Sequence, residues 1–340
     1  MKINKLQTIY IFGMLLISIV LYKLYKLRER ELKISGIYKS LYPLKWSRND
    51  NKLNNINYRV KWAMGKWYNK SQIIILPNKY YFSNDYSTSY YPLLEDIMRN
   101  TTQFLYAHGD IQHTISYPCF TKTRPINNKT NIIILLNYYR HWKNVFNLPK
   151  IDKPFDKKKP IAIWRGTTTG NDDKPGNRFS LIKKWINKNI SGTHIDVGFS
   201  SVCQGKNSYK KYVRGRKSIK TLLQYKYLIC AEGNDVSSGL KWMLYSQSVV
   251  FMPKPTMVSW FMEDHLVPFK HYVPIKDDWS DLLEMYQWCE DNQDKCKNII
   301  NNANNYVQRF IDEFDNGFAG IIHNEITRMY RKNISFETKD

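Results

Sequence analysis

The chain is short of cysteine and pairs none of what it has. Cys119, Cys203, Cys230, Cys289 and Cys296 make an odd count with no C-x-x-C among them, so neither a disulfide framework nor a zinc site is implied. Cys230 lies inside an apolar run and reads as a small core residue. No G-x-x-x-x-G-K-S/T stretch is present, which excludes a P-loop nucleotide site. RNA-recognition, zinc-finger and helix-turn-helix signatures are missing, and so is any internal repeat. Acidic residues are few: 29 Asp and Glu stand against 52 Lys and Arg, for a formal net charge of +23. Such a charge suits nucleic acid, an anionic membrane surface or an anionic small molecule. The basic residues are dispersed, and the whole chain is rich in Asn, Ile, Lys and Tyr. The charge therefore reads as compositional drift together with a phosphate-bearing ligand, and no nucleic-acid partner is expected.

What is present suffices for packed cores. The 340 residues are 43% hydrophobic and 15% aromatic, which argues against global disorder and for two domains. The longest apolar run, Thr8 to Tyr22, is preceded by Lys2 and Lys5 and followed by Lys23, Lys26, Arg28 and Arg30. It is slightly shorter than a full span of about 17–25 residues, but flanking lysines lengthen the effective span, and no small-x-small cleavage site follows it. Residues 1–30 are thus expected to be an uncleaved signal anchor and basic flank, making the protein a single-pass membrane protein. The side of the membrane stays open. The basic count favours a cytoplasmic catalytic domain, whereas sequons at Asn69, Asn100, Asn128, Asn189 and Asn333 fit a luminal one.

Strand-like runs at Ile73–Leu76, Phe104–Ala107 and Ile132–Asn137, with a helical pattern at Tyr90–Asn100, outline an α/β region over 31–150. Three prolines and a run of lysines between Leu148 and Pro160 predict an exposed linker. Beyond it, strand and helix alternate from Ile161 to Pro253, and two amphipathic helices follow. That pattern predicts a parallel sheet with helices on its faces over 151–330, with ligands at the carboxyl ends of its strands.

Two of those strand ends carry anion-binding equipment. In "WRGTTTGNDDKPGNRFSLI" (Trp164–Ile182), Gly166 and Gly170 permit tight turns and three threonines offer hydroxyls. Arg178 opens the next helix, where an anion is favoured and a guanidinium can pair with phosphate oxygens. In "ICAEGNDVSSGLKW" (Ile229–Trp242), Glu232 or Asp235 suits ribose hydroxyls, and the Ser237–Gly239 main chain suits a diphosphate. A plain Ser-Ser helix cap is the competing reading of that stretch.

In fixed order, "WRGTTTG…NR", "EGNDVSSGLKW", "QSVVFMPKP" and "HYVPIKDDWSDLLE" (His271–Glu284) resemble glycosyltransferase family 90. The resemblance runs over Ile161–Phe310 and, more faintly, over Phe104–Trp142. The family contains capsule-associated xylosyltransferases, protein O-glucosyltransferases and lipopolysaccharide-modifying enzymes. The resemblance implies an α/β fold of GT-B type, with two Rossmann-like domains facing a cleft and the donor site in the C-terminal one. It further implies an inverting, metal-independent transfer of glucose or xylose from a UDP-sugar to a hydroxyl of a glycan or protein, with no cofactor beyond the co-substrate. By matching motifs, Thr167 and Arg178 would contact the donor, as would Asn234, Asp235, Val236, Ser237, Ser238 and Gly239. The animal O-glucosyltransferases of that family carry an arginine where this chain has Gly239, so the diphosphate would lean more on Arg178, Lys241 and backbone amides.

Inverting transfer needs a base on the acceptor hydroxyl. Asp110, following a strand in "FLYAHGDI", is expected in that role, with His108 and His113 as rivals. Lys122, Arg124 and Arg140 are candidates to line the cleft, and Tyr138 and Trp142 either stack on sugar or fill the core. An inactive protein that binds UDP-sugar or glycan on the same scaffold is the alternative.

Overall fold

A computed structural model describes residues 52–76, 104–107, 109–134, 142, 144–146, 148–186 and 194–338. In chain order, the first part contains α1 (Ile56–Met64), β1 (Gln72–Leu76), β2 (Leu105–Tyr106), β3 (Cys119–Thr121), β4 (Thr123–Pro125) and β5 (Ile132–Ile133). The second part runs β6 (Lys159–Thr167), α2 (Arg178–Trp185), β7 (Ile195–Ser201), α3 (Ile219–Leu222), β8 (Tyr225–Ile229), α4 (Leu240–Leu244) and β9 (Val249–Met252). It continues with β10 (Met257–Ser259), β11 (Val273–Pro274), α5 (Leu282–Asp291), α6 (Gln293–Asp315), α7 (Phe318–Asn333) and β12 (Ile334–Thr338).

The fold is mixed α/β with parallel sheets. Its largest sheet has five parallel strands in the order β11-β9-β8-β6-β7. Side chains alternate across a strand, and here they feed two cores. Ala162, Trp164, Tyr227, Ile229, Val249 and Phe251 meet α2 and α5 on one face. Ile163, Leu228, Cys230, Val250 and Met252 meet α4 and α6 on the other. A sheet covered on both faces needs near-continuous apolar strands, which is why "VVFM" and "YLIC" were legible as strands.

The first part is assembled differently. β2, β3 and β5 form a small parallel sheet, β4 pairs antiparallel with β10, and β1 pairs in parallel with β12. The last of the described helices therefore returns to the first of them: α7 packs on α1, and Asn333 Nδ2 donates to the carbonyls of Trp67 and Tyr68 at 2.8 Å each. The strand expected at Ile73–Leu76 exists, but its partner is the C-terminal β12 rather than a neighbour in an α/β unit.

The segment predicted as an exposed linker is largely exposed, with nine of its 13 residues on the surface, but it is anchored at three points. Leu148, Phe155 and Lys158 are buried. Short 3-10 turns use up the local backbone groups, and Lys158 Nζ reaches Asp152 and donates to Ser248 Oγ at 2.9 Å. Prolines broke the periodicity here without freeing the chain from the core. The expected anchor at Thr8–Tyr22 and the helical pattern at Tyr90–Asn100 lie outside the described residues. Among the described residues no helix is long and apolar enough to cross a membrane.

Candidate active site

β6 and β8 are neighbours in the sheet, yet β6 connects to β7 on one side and β8 to β9 on the other, so the chain leaves them in opposite directions. Open α/β sheets bind ligands in the crevice outside the carboxyl ends at such a reversal. The two loops that leave those ends are the two stretches singled out above, after Thr167 and after Ile229. They wall a cleft of about 590 Å³. Thr167, Arg178 and all six residues from Asn234 to Gly239 line it, and Asp110 enters from the first part of the chain.

A hydrogen-bonded chain joins these pieces. Asn234 Nδ2 donates to Asp110 Oδ2 at 2.9 Å, while its Oδ1 accepts from the Gly170 amide at 2.8 Å. Lys122 pairs with Asp110 Oδ1 and lies 2.9 Å from Asp235 Oδ2, which also accepts from Thr123 Oγ1 at 3.0 Å. Burial raises the Asp235 carboxyl, and the Lys122 ammonium opposes that rise. Asp110 keeps 38% of its side chain exposed, against 7% for Asp235. An ionised carboxylate has about four lone-pair sites, and the exposed part of Asp110 faces the cleft.

Arg178 stands at the first turn of α2, after an Asn177 cap whose Oδ1 accepts from the Ser180 amide. Its guanidinium does not present an open fork. Nε donates to Glu232 O at 3.0 Å, and Nη1 donates to Thr167 O at 3.0 Å and Thr169 Oγ1 at 2.6 Å. Nη2 reaches Ala231 O at 3.4 Å. The side chain thus ties one loop to the other, with burial lowering its pKa. Gly233 is required by this tie, because a Cβ there would lie 2.9 Å from both Arg178 Nη2 and Thr169 Oγ1.

Other expectations resolve as follows. Neither Ser237 nor Ser238 caps α4, whose N-cap is Gly239, and that helix has only five residues. Glu232 turns away from the cleft, accepting from the Thr256 amide at 3.0 Å and pairing with Lys174 at 2.7 Å. Lys241 is 1% exposed beneath α4, with its ammonium 5.1 Å from the Phe261 ring centre and no hydrogen bond to a described residue. Arg124 is a buried strut that donates to the carbonyls of Ala63, Asn131 and Trp62. Trp142 fills the core against Phe261, Phe310 and Phe314. His271 packs, accepting from the Val267 amide, and burial lowers it to about 4. His113 is exposed; His108, Tyr138 and Arg140 lie outside the described residues.

Sequence reasoning missed two lining cations, Arg216 and Lys217. The signal was there in "KNSYKKYVRGRKSIK", which breaks the even spread of charge.

The family model described as glycosyl transferase family 90 matches residues 103–315. The O-glucosyltransferase LpsA of Dichelobacter nodosus is 32% identical over 69% of this chain and 67% of that protein. Protein 179R of Invertebrate iridescent virus 6 is 26% identical over 49% of this chain. Protein O-glucosyltransferase 2 of Danio rerio is 37% identical over 43% of it. Those last two alignments span only 16% and 28% of the relatives' own lengths.

Proposed function

The chain belongs to glycosyl transferase family 90, which makes it a glycosyltransferase, and from that premise we propose that it moves glucose or xylose from a UDP-sugar to a hydroxyl of a glycan or protein. The observation that carries this reading is the meeting of Asp110 with both strand-end loops in one cleft at the reversal of the sheet. Residues 151–330 hold the donor, 31–150 face the acceptor in a GT-B arrangement, and the segment within 1–30 tethers the enzyme to a membrane. The loops around Thr167 and Asn234–Gly239 surround the donor, with Arg178 bracing them from behind.

The transfer is a single inverting displacement without a metal. The acceptor oxygen attacks the anomeric carbon as Asp110 takes its proton, and the bond from that carbon to the diphosphate oxygen breaks with its electron pair leaving on UDP. Lys122 and Asn234 hold the Asp110 carboxylate in place. A base of this kind contributes roughly 10²- to 10⁴-fold to the rate.

The test is a donor screen with UDP-glucose, UDP-xylose and UDP-galactose on wild type and Asp110→Asn, with UDP affinity measured beside it. Turnover of one donor that drops by about that factor in the variant, with UDP binding held within twofold, supports the reading. Equal turnover in both proteins removes Asp110 as the base.

A further inference from the structure

Of the seven charged side chains that line the cleft, five are paired or spent on the protein and two are not. Lys122 is paired with Asp110 and Asp235, Arg165 with Asp196 at 2.6 Å, and Arg178 donates to carbonyls and a hydroxyl of the loops it ties. Arg216 and Lys217 also line the cleft, yet neither makes a hydrogen bond or ion pair with a described residue. They belong to a stretch from Lys206 to Lys220 that contains seven basic residues and no acid.

Their position is fixed by the backbone on either side. The Arg214 amide donates to Phe199 O at 2.8 Å, pinning the incoming chain to β7. Gly215, at φ +78°, then reverses direction in a conformation that a side chain would strain. Ser218 caps the next turn by accepting from the Thr221 amide at 3.1 Å. Two cations are thereby held at the mouth of the cleft by main chain alone, with their own donors left over.

We infer that Arg216 and Lys217 are the residues that meet the donor's diphosphate. The inference rests on the donor-site reading above and changes its division of labour: Arg178 shapes the loops, and the Arg216–Lys217 pair supplies the charge. As the bond to the anomeric carbon breaks, the leaving diphosphate gains negative charge, and cations already in place stabilise it without reorganising. The Arg216 fork can grip two phosphate oxygens at once, while Lys217 acts as a point charge. Arg216 is exposed and Lys217 half-buried, and neither belongs to a buried cluster, so thermal unfolding of each variant separates loss of binding from loss of fold.

The test compares UDP with uridine on the full-length chain, using calorimetry on wild type, Arg216→Ala, Lys217→Ala and the double variant. UDP affinity is expected to fall roughly 10- to 100-fold in the double variant, uridine affinity to stay within twofold, and Arg216→Lys to recover part of the loss. The salt dependence of UDP binding is expected to flatten in the double variant, because two screened charges have gone. UDP bound equally by wild type and double variant overturns this inference alone. A wild type that does not bind UDP overturns the donor-site reading and this inference with it.

Discussion

The five-stranded sheet and the region around α1 are built by opposite rules. In the sheet, each strand pairs with one that lies a single connection or two away, and the cleft loops follow directly from strand ends. Around α1, the partners are distant: Gln72 sits beside Ile334, and Pro125 beside Met257. The sheet is specified by runs of sequence, whereas the first region is specified by closure of the whole chain. Stability and chemistry are therefore separable, and substitutions can show it.

The largest effect is expected at the tie that closes the first region. Arg59 and Glu313 form a two-pronged ion pair with both side chains almost wholly buried, and the Arg59 guanidinium lies 5.1 Å from the Trp260 ring centre. Burial raises the Glu313 carboxyl, while the Arg59 charge opposes the rise. Removing one partner strands the other charge, at a cost of about 3–5 kcal/mol, whereas replacing both by apolar side chains is close to neutral. Glu313→Ala should lower the unfolding free energy read from urea titration by that amount, and Arg59→Met with Glu313→Met should restore most of it. UDP affinity of the folded double variant should match wild type. A double variant as unstable as Glu313→Ala would mean that the pair does more than close the chain.

Arg178→Ala probes the other region with a smaller change. The variant leaves the carbonyls of Thr167, Ala231 and Glu232 without their donor, for a loss of about 2 kcal/mol, and UDP affinity should fall with it as the loops separate. Arg178→Lys should not rescue, because an ammonium cannot span acceptors on both loops as a guanidinium does. Unchanged stability combined with weaker UDP binding would instead put the guanidinium on the ligand, and would collapse the distinction between a bracing arginine and the contacting pair at Arg216 and Lys217.

That distinction also marks what could be read without coordinates. Thr167, Arg178 and Asn234–Gly239 were visible because small and polar residues interrupt apolar strands at a sheet's carboxyl edge. Asp110 was visible as a carboxylate after a strand end. The occupation of Arg178 was not, since hydrogen bonds to carbonyls 53 and 54 residues away leave no trace in composition. Arg216 and Lys217 were hidden by an overall charge so high that a local cluster looked ordinary. The segment at Leu148–Pro160 is mostly exposed as its prolines and lysines suggested, but its three buried anchors, Leu148, Phe155 and Lys158, carry no periodicity that would have marked them. β1 and β12 were unreadable as a pair because nothing in a five-residue strand names a partner at the far end of the chain.

The effect smallest at neutral pH follows from a histidine in the closing helix. His323 on α7 is 2% exposed, its Nε2 has no hydrogen-bond partner among the described residues, and burial lowers its pKa to about 4 from 6.5. A depressed value means that the folded state resists the proton which the unfolded chain accepts. Its contribution is therefore complete above pH 6.5 and is lost progressively as pH falls toward 4, with a slope of at most one proton, about 1.4 kcal/mol per pH unit. His271, lowered to about 4 by its own burial, adds a contribution of the same sign from the second region. Thermal unfolding of wild type should weaken between pH 6.5 and 4, and His323→Gln should flatten that decline while His271 keeps the rest. If the variant declines as steeply as wild type, the acid sensitivity lies outside α7, and the region closed by the chain's two ends is no more vulnerable to protons than the sheet that holds the cleft.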